Sequence, residues 1–86
     1  SDVIGNLQGV LGIMEKTPEG EWSQESLEGS LMPFAEGTGN RGMVLWPLRV
    51  SLSGQQHSPG PFEIMAALGK EESIRRVKAA IELASS

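Results

Sequence analysis

The chain contains no cysteine and only one histidine, His57, among its 86 residues. The lack of thiols excludes disulfides and thiolate metal sites, and one imidazole cannot form a zinc site of several histidines. His57 adjoins Ser58, but neighbouring side chains on a turn rarely align as base and nucleophile. No two carboxylates are placed to share acid–base work. We therefore expect no catalytic residue, metal site or cofactor within these residues.

Long apolar runs are also missing. None approaches the roughly 18 residues that a membrane helix needs, and the N-terminus lacks a basic and then apolar signal segment. We expect a cytoplasmic protein without a membrane partner. The 38% apolar content fits a single domain over residues 1–86 with a modest core.

Positive charge is scarce in the first half of the chain. The net charge is −4, and residues 1–37 carry seven acidic side chains against one lysine, whereas residues 38–86 carry four against six basic ones. The overall sign argues against simple attraction to nucleic acid. The asymmetry leaves two interpretations open, a solvated surface or an acidic face that docks on a partner.

Apolar residues at helical spacing predict a first helix, although three glycines weaken it and make it dependent on packing. Ser23 is the expected N-cap of a second helix that turns Leu27 and Leu31 inward. Pro33 is expected to end or kink this helix, ahead of a flexible loop at residues 37–40. The first helix carries its apolar stripe on Val3, Ile4, Leu7, Val10, Leu11 and Met14.

Two short helices joined by a rigid turn are predicted over residues 41–70. Pro47 suits the first position of one helix, Gly54 suits its end, and residues 43–46 read as a short strand or an extended segment leading in. Prolines stiffen the turn at residues 58–61. A helix follows at residues 62–68 and stops at Gly69.

The last helix, residues 70–84, has the clearest periodicity. Ile74, Val77, Ile81 and Ala84 are expected to face the core, and Glu71 precedes Arg75 by the four residues of a stabilising pair. With no convincing alternation of period two, the sequence predicts an all-α fold, a small bundle of four to five short helices.

Residues 37–42, GTGNRG, match the pattern G-x-G-x-x-G. A dinucleotide site needs this pattern between a strand and a helix, and here Pro33 and polar residues precede it. We interpret it as a loop.

The candidate binding residues lie in and near the rigid turn. Arg49, in the first turn of a helix that begins at Pro47, would point away from the core that Leu48 and Leu52 face, and its planar fork can bind a base edge or a phosphate. Trp46 is either an anchor in the core or a stacking platform. The turn would present the N-terminus of a helix, with unpaired N–H groups, beside Ser58. From the residues alone, this is a binding module whose partner is unknown.

The segments PLRVSLSG (47–54) and SPGPFEIMAALGKEESIRRVKAAIE (58–82) resemble the C-terminal anticodon-binding domain of bacterial-type glutamyl-tRNA synthetases. That family shows a PLR-x-A-L-[TS]-G segment, a Ser/Thr-Pro-Gly turn before Phe-Glu, and a Leu-Gly-[KR]-E step into the last helix. The run Glu21-Trp22-Ser23 resembles the family's start of a short helix. The resemblance covers residues 21–84, and residues 1–20 are expected to form a boundary helix towards a preceding domain.

The resemblance implies a helical domain of a class I synthetase that reads the anticodon of glutamate tRNA. The predicted RNA contacts are Arg49, Ser58, Pro59, Gly60 and Pro61, with Arg41 and Trp46 as further candidates. Pro61 stands where many relatives carry an aliphatic residue. The HIGH-like and KMSKS-like motifs are absent, so ATP, Mg²⁺ and glutamate would be bound by the parent enzyme, expected as a monomer. The alternative is a helical protein–protein docking module with an acidic N-terminal face.

Overall fold

Five α-helices form the described part of the protein, which in this computed structural model comprises residues 3–53 and 60–85. No strand occurs in these two ranges, so the predicted all-α bundle is confirmed. No helix among them is long and apolar enough to cross a membrane. The elements are α1 (Val3–Lys16), a 3-10 turn (Glu19–Glu21), α2 (Gln24–Gly37), α3 (Gly42–Ser53), α4 (Pro61–Leu68) and α5 (Lys70–Ser85).

One hydrophobic core joins all five helices. α1 packs against α5, α3 and α2, while α4 packs against α3, α2 and α5. Because each helix contributes to the same core, no helix has to be stable alone. The buried apolar residues are Leu7, Val10, Met14, Leu27, Leu31, Ala35, Val44, Leu48, Leu52, Phe62, Met65 and Val77.

The predicted cap of α2 is confirmed, whereas Pro33 does not end the helix. The Ser26 N–H donates to Ser23 Oγ at 3.2 Å, and Leu27 and Leu31 are buried. α2 continues past Pro33 to Gly37. Pro33 and Gly29, whose carbonyl loses its helical donor to the proline, are both exposed, so water can reach that carbonyl.

The prediction that Pro47 opens a helix was wrong, as was the extended geometry expected for residues 43–46. α3 begins at Gly42 and runs through Pro47. A proline inside a helix removes the donor to the carbonyl four residues earlier, here that of Met43. Asn6 Nδ2, on α1, donates to this oxygen at 3.3 Å. A contact from another helix thus occupies the acceptor that the proline leaves unpaired.

The carbonyl of Met65 connects three parts of the fold. It accepts hydrogen bonds from Trp22 Nε1 at 2.8 Å, from the Gly69 N–H at 2.9 Å and from Ser73 Oγ at 3.4 Å. Gly69, the predicted end of α4, has φ 88° and ψ 166°, a region that is nearly restricted to glycine. These bonds connect α4 to the segment that precedes α2 and to α5.

Glu72, rather than Glu71, is the partner of Arg75 on α5. The carboxylate of Glu72 accepts from Arg75 Nε at 2.9 Å and from Arg76 Nε at 2.7 Å. Val77 is buried as expected, whereas Ala84 is exposed, so the inward stripe ends one turn earlier than predicted.

Candidate nucleic-acid interface

The exposed face of α3 carries three large apolar side chains. Met43, Trp46 and Val50 are 38%, 49% and 42% exposed, and their spacing of three and four residues places them along one side of the helix. Leu48, on the opposite side, is fully buried. Exposure of one aromatic and two aliphatic side chains to water is unfavourable, so this face is suited to contact with another molecule.

Arg49 lies beside this face and contacts Trp46. Its guanidinium carbon is 5.5 Å from the centre of the Trp46 ring, within the range of a cation–π interaction. Arg49 is half-buried in the middle of α3, rather than in a first turn as the sequence suggested. Leu48 and Leu52 do face the core. The contact restricts the guanidinium to the neighbourhood of a half-exposed aromatic ring.

Gly60 and Pro61, the last two residues of the predicted turn, have different surroundings. Gly60 is exposed and forms the N-cap of α4, where its carbonyl accepts from the Ile64 N–H at 3.1 Å. Pro61 is the first residue of α4 and is buried, so its ring packs within the protein and starts the helix. Ser58 and Pro59 lie outside the described residues, as do His57 and Gly54.

Arg41 stands immediately before α3. Its side chain is 63% exposed, and its Nη1 lies 3.8 Å from Glu36 Oε2, an open ion pair. The preceding Asn40 accepts a hydrogen bond from the Gly42 N–H through Oδ1 at 3.2 Å. Trp46 and Arg49 therefore lie on α3, and Arg41 immediately precedes it.

The sequence reasoning missed Met43 and Val50 because it began the helix at Pro47. Asn40 was the available signal, since asparagine is a favoured residue at helix starts and here binds the Gly42 N–H. A helix begun there would have placed Met43, Trp46 and Val50 on one face.

An open groove of about 520 Å³ adjoins this face between α3 and α5. Its walls include Val50, Ala80, Leu83 and Arg76, and Leu83 is 81% exposed. Among the described residues, no group of three or more metal-ligating side chains could hold a metal ion.

The electrostatics of α5 are dominated by one carboxylate. Hydrogen bonds from Arg75 and then Arg76 lower the pKa of Glu72 from 4.5 to about 2, so it is ionised at neutral pH. The same carboxylate raises the pKa of Arg75.

The surface formed by α3 and α5 combines the ring of Trp46, the guanidinium of Arg49 and exposed apolar side chains. Such a set can stack on a base and donate hydrogen bonds to its edge.

Comparison with known proteins places the chain in a family. Residues 2–81 match the family described as "Anticodon binding domain". The chain is 47% identical over 60 residues to glutamate–tRNA ligase 2 of a Chelativorans species, a match covering 69% of this chain and 13% of that protein. It is 38% identical over 81 residues to the glutamate–tRNA ligase of Clostridium acetobutylicum, covering 92% of this chain and 16% of the relative.

A solved structure shares the fold as well. The crystal structure of a glutamate tRNA ligase from Elizabethkingia meningosepticum, in complex with its amino acid, superimposes with a TM-score of 0.81 at 31% identity. The match covers 92% of this chain and 15% of that one. The chain thus spans only 13–16% of the length of these relatives. With a match that extends over residues 2–81 and a shared fold, the chain belongs to the anticodon-binding domain family.

Proposed function

We propose that this chain recognises the anticodon loop of glutamate tRNA as one domain of a glutamate–tRNA ligase. The observation that carries the proposal is the pair of Arg49 and Trp46 on the exposed face of α3, in a chain of this family. The parent enzyme would attach glutamate to the tRNA with ATP and Mg²⁺. This domain would contribute binding and no catalytic group, in a cytoplasmic monomer.

The proposed roles of Trp46 and Arg49 follow from the way in which proteins bind unpaired bases. Bases that are splayed out of a loop stack on aromatic rings and are read by hydrogen bonds at their edges. Trp46 offers a half-exposed ring, and Arg49 beside it carries the donors. Gly60 is exposed at the start of α4, with Ser58 and Pro59 as predicted neighbours of the RNA. Arg41 would contribute a phosphate contact.

Arg49→Ala in the full-length synthetase tests the proposal. We expect the variant to bind an anticodon stem-loop of glutamate tRNA more weakly by about 1–3 kcal/mol, the scale of one good bidentate contact. Fluorescence or NMR titration gives the dissociation constants. Lys16→Ala on α1 is the control, because it removes the same charge outside the candidate interface. Equal binding by the wild type and the Arg49 variant would contradict the proposal.

Exposed carboxylates favour the second candidate, a protein-docking module. Such a module would bind through the region around the 3-10 turn and the start of α2, and RNA recognition would use α3. The exposed acidic residues of this region are Glu19, Glu21, Glu25 and Glu28.

A further inference from the structure

Arg76 connects α5 to the last turn of α3. Its Nη1 donates to the carbonyl oxygen of Leu52 at 2.6 Å, and its side chain is 38% exposed. Leu52 is the last residue but one of α3, and its side chain is fully buried. A cationic donor from α5 therefore binds the backbone of α3 at Leu52, near the end of its described part.

Glu72 holds Arg76 in this orientation. Arg76 Nε donates to Glu72 Oε2 at 2.7 Å, which leaves Nη1 directed at Leu52. Arg75 binds the same carboxylate but is 68% exposed. Two adjacent arginines thus share one acid, and the hydrogen bond to α3 comes from Arg76.

Each helix that flanks the predicted RNA-binding turn accepts a hydrogen bond from a side chain of another element. Arg76 binds the carbonyl of Leu52 on α3, three residues after Arg49, and Trp22 binds the carbonyl of Met65 on α4 at 2.8 Å. Gly60 lies at the start of α4. A shift of either helix would therefore change the position of Arg49 relative to Gly60.

We propose that Arg76 is a positioning residue for anticodon recognition, which acts by holding the last turn of α3, and with it Arg49, through Leu52. This inference rests on the proposed function. Arg76 itself need not touch RNA. Its effect on binding is transmitted through the backbone of α3.

The test compares Arg76→Met with Arg75→Met in the full-length synthetase. Each variant removes one guanidinium from α5 and one partner of Glu72, but Arg76→Met also removes the bond to Leu52. We expect the dissociation constant of the anticodon stem-loop to rise about tenfold for Arg76→Met, the scale of one lost charged hydrogen bond, and less than twofold for Arg75→Met. Binding is measured where circular dichroism shows that each variant is folded.

A double-mutant cycle separates positioning from general destabilisation. If Arg76 acts through Arg49, Arg76→Met should weaken binding by less than about twofold when Arg49 is already alanine. Arg76→Lys keeps the charge and a donor, and its dissociation constant should fall between those of the wild type and Arg76→Met. This variant also serves if the methionine variant does not fold.

The outcomes distinguish the inference from the function on which it rests. Equal effects of the Arg75 and Arg76 variants, or a full tenfold effect of Arg76→Met in the Arg49→Ala background, would overturn the positioning role. Loss of binding in Arg49→Ala without loss in Arg76→Met contradicts this inference alone. Unchanged binding in Arg49→Ala contradicts the proposed function, and the inference fails with it.

Discussion

Gly9 lies in the middle of α1, where glycine lowers helix stability, yet α2 packs closely against it. A Cβ built at Gly9 would overlap Cζ of Phe34, well inside van der Waals contact. Gly12, one turn later, has nothing within 4 Å of such a Cβ. Packing against Phe34 thus disfavours a side chain at Gly9, whereas the surroundings of Gly12 leave room for one.

Gly9→Ala should lower the free energy of unfolding by about 1–3 kcal/mol, because the added methyl group would force Phe34 and α2 to move. Gly12→Ala is the matched control, and it should raise that free energy by up to about 1 kcal/mol through higher helix propensity. Urea unfolding followed by circular dichroism measures both. A Gly9→Ala variant as stable as Gly12→Ala would contradict the packing account.

Pro47 and Pro33 show what residue type alone leaves undecided. Each could open, end or interrupt a helix, and each lies inside one. For Pro47 the deciding group is Asn6, which occupies the carbonyl of Met43. No residue of α3 itself indicates that Asn6 binds this carbonyl.

At the scale of elements, α5 links charge to stability through Glu72. Its pKa is lowered from 4.5 to about 2 by hydrogen bonds from Arg75 and Arg76. A carboxyl group with a lowered pKa in the folded state stabilises the fold above its unfolded pKa. That contribution is lost as the pH falls from about 4.5 to 2.

Glu72→Gln should therefore make the domain less stable than the wild type at pH 7, with the two unfolding curves converging as the pH approaches 2. Between pH 4.5 and 2 the variant should lose less stability than the wild type. Glu71→Gln removes a neighbouring charge and should keep the wild-type acid dependence. Unfolding by urea at several pH values gives the comparison, and parallel curves for the wild type and Glu72→Gln would refute it.

Helix ends were predictable where the signal is local. Ser23 caps α2, and Gly69 ends α4 with a positive φ, both as the sequence predicted. The sequence predicted that α3 begins at Pro47 rather than at Gly42, because a proline is a stronger local signal for a helix start than Asn40. That error also placed Arg49 in a first turn and left the face of Met43 and Val50 unrecognised.

For the whole molecule, the uneven charge distinguishes the two candidate functions. Residues 1–37 carry most of the acidic side chains, whereas the candidate RNA contacts of α3 lie in the more basic half. An RNA site on α3 does not need the acidic side chains of α2, whereas a docking module that binds basic partners requires them.

Glu25→Gln combined with Glu28→Gln should change the dissociation constant of the anticodon stem-loop by less than twofold, with any change towards tighter binding as repulsion from phosphates decreases. The measurement is repeated at 50 and 200 mM salt in the full-length protein, since RNA binding weakens with salt. Arg49→Ala in the same series shows that the assay detects a lost contact. A large loss of RNA binding in the double variant would place the interface on α2.

The sequence by itself determined the all-α fold, the cap at Ser23, the break at Gly69 and the similarity to anticodon-binding domains. Periodicity and capping depend on residues within about one helical turn, so they can be read locally. The tertiary structure decided that α3 continues through Pro47 and that Arg76 binds its backbone at Leu52. Both depend on side chains from α1 and α5 that reach carbonyls 37 and 24 residues away, and only folding brings these groups together.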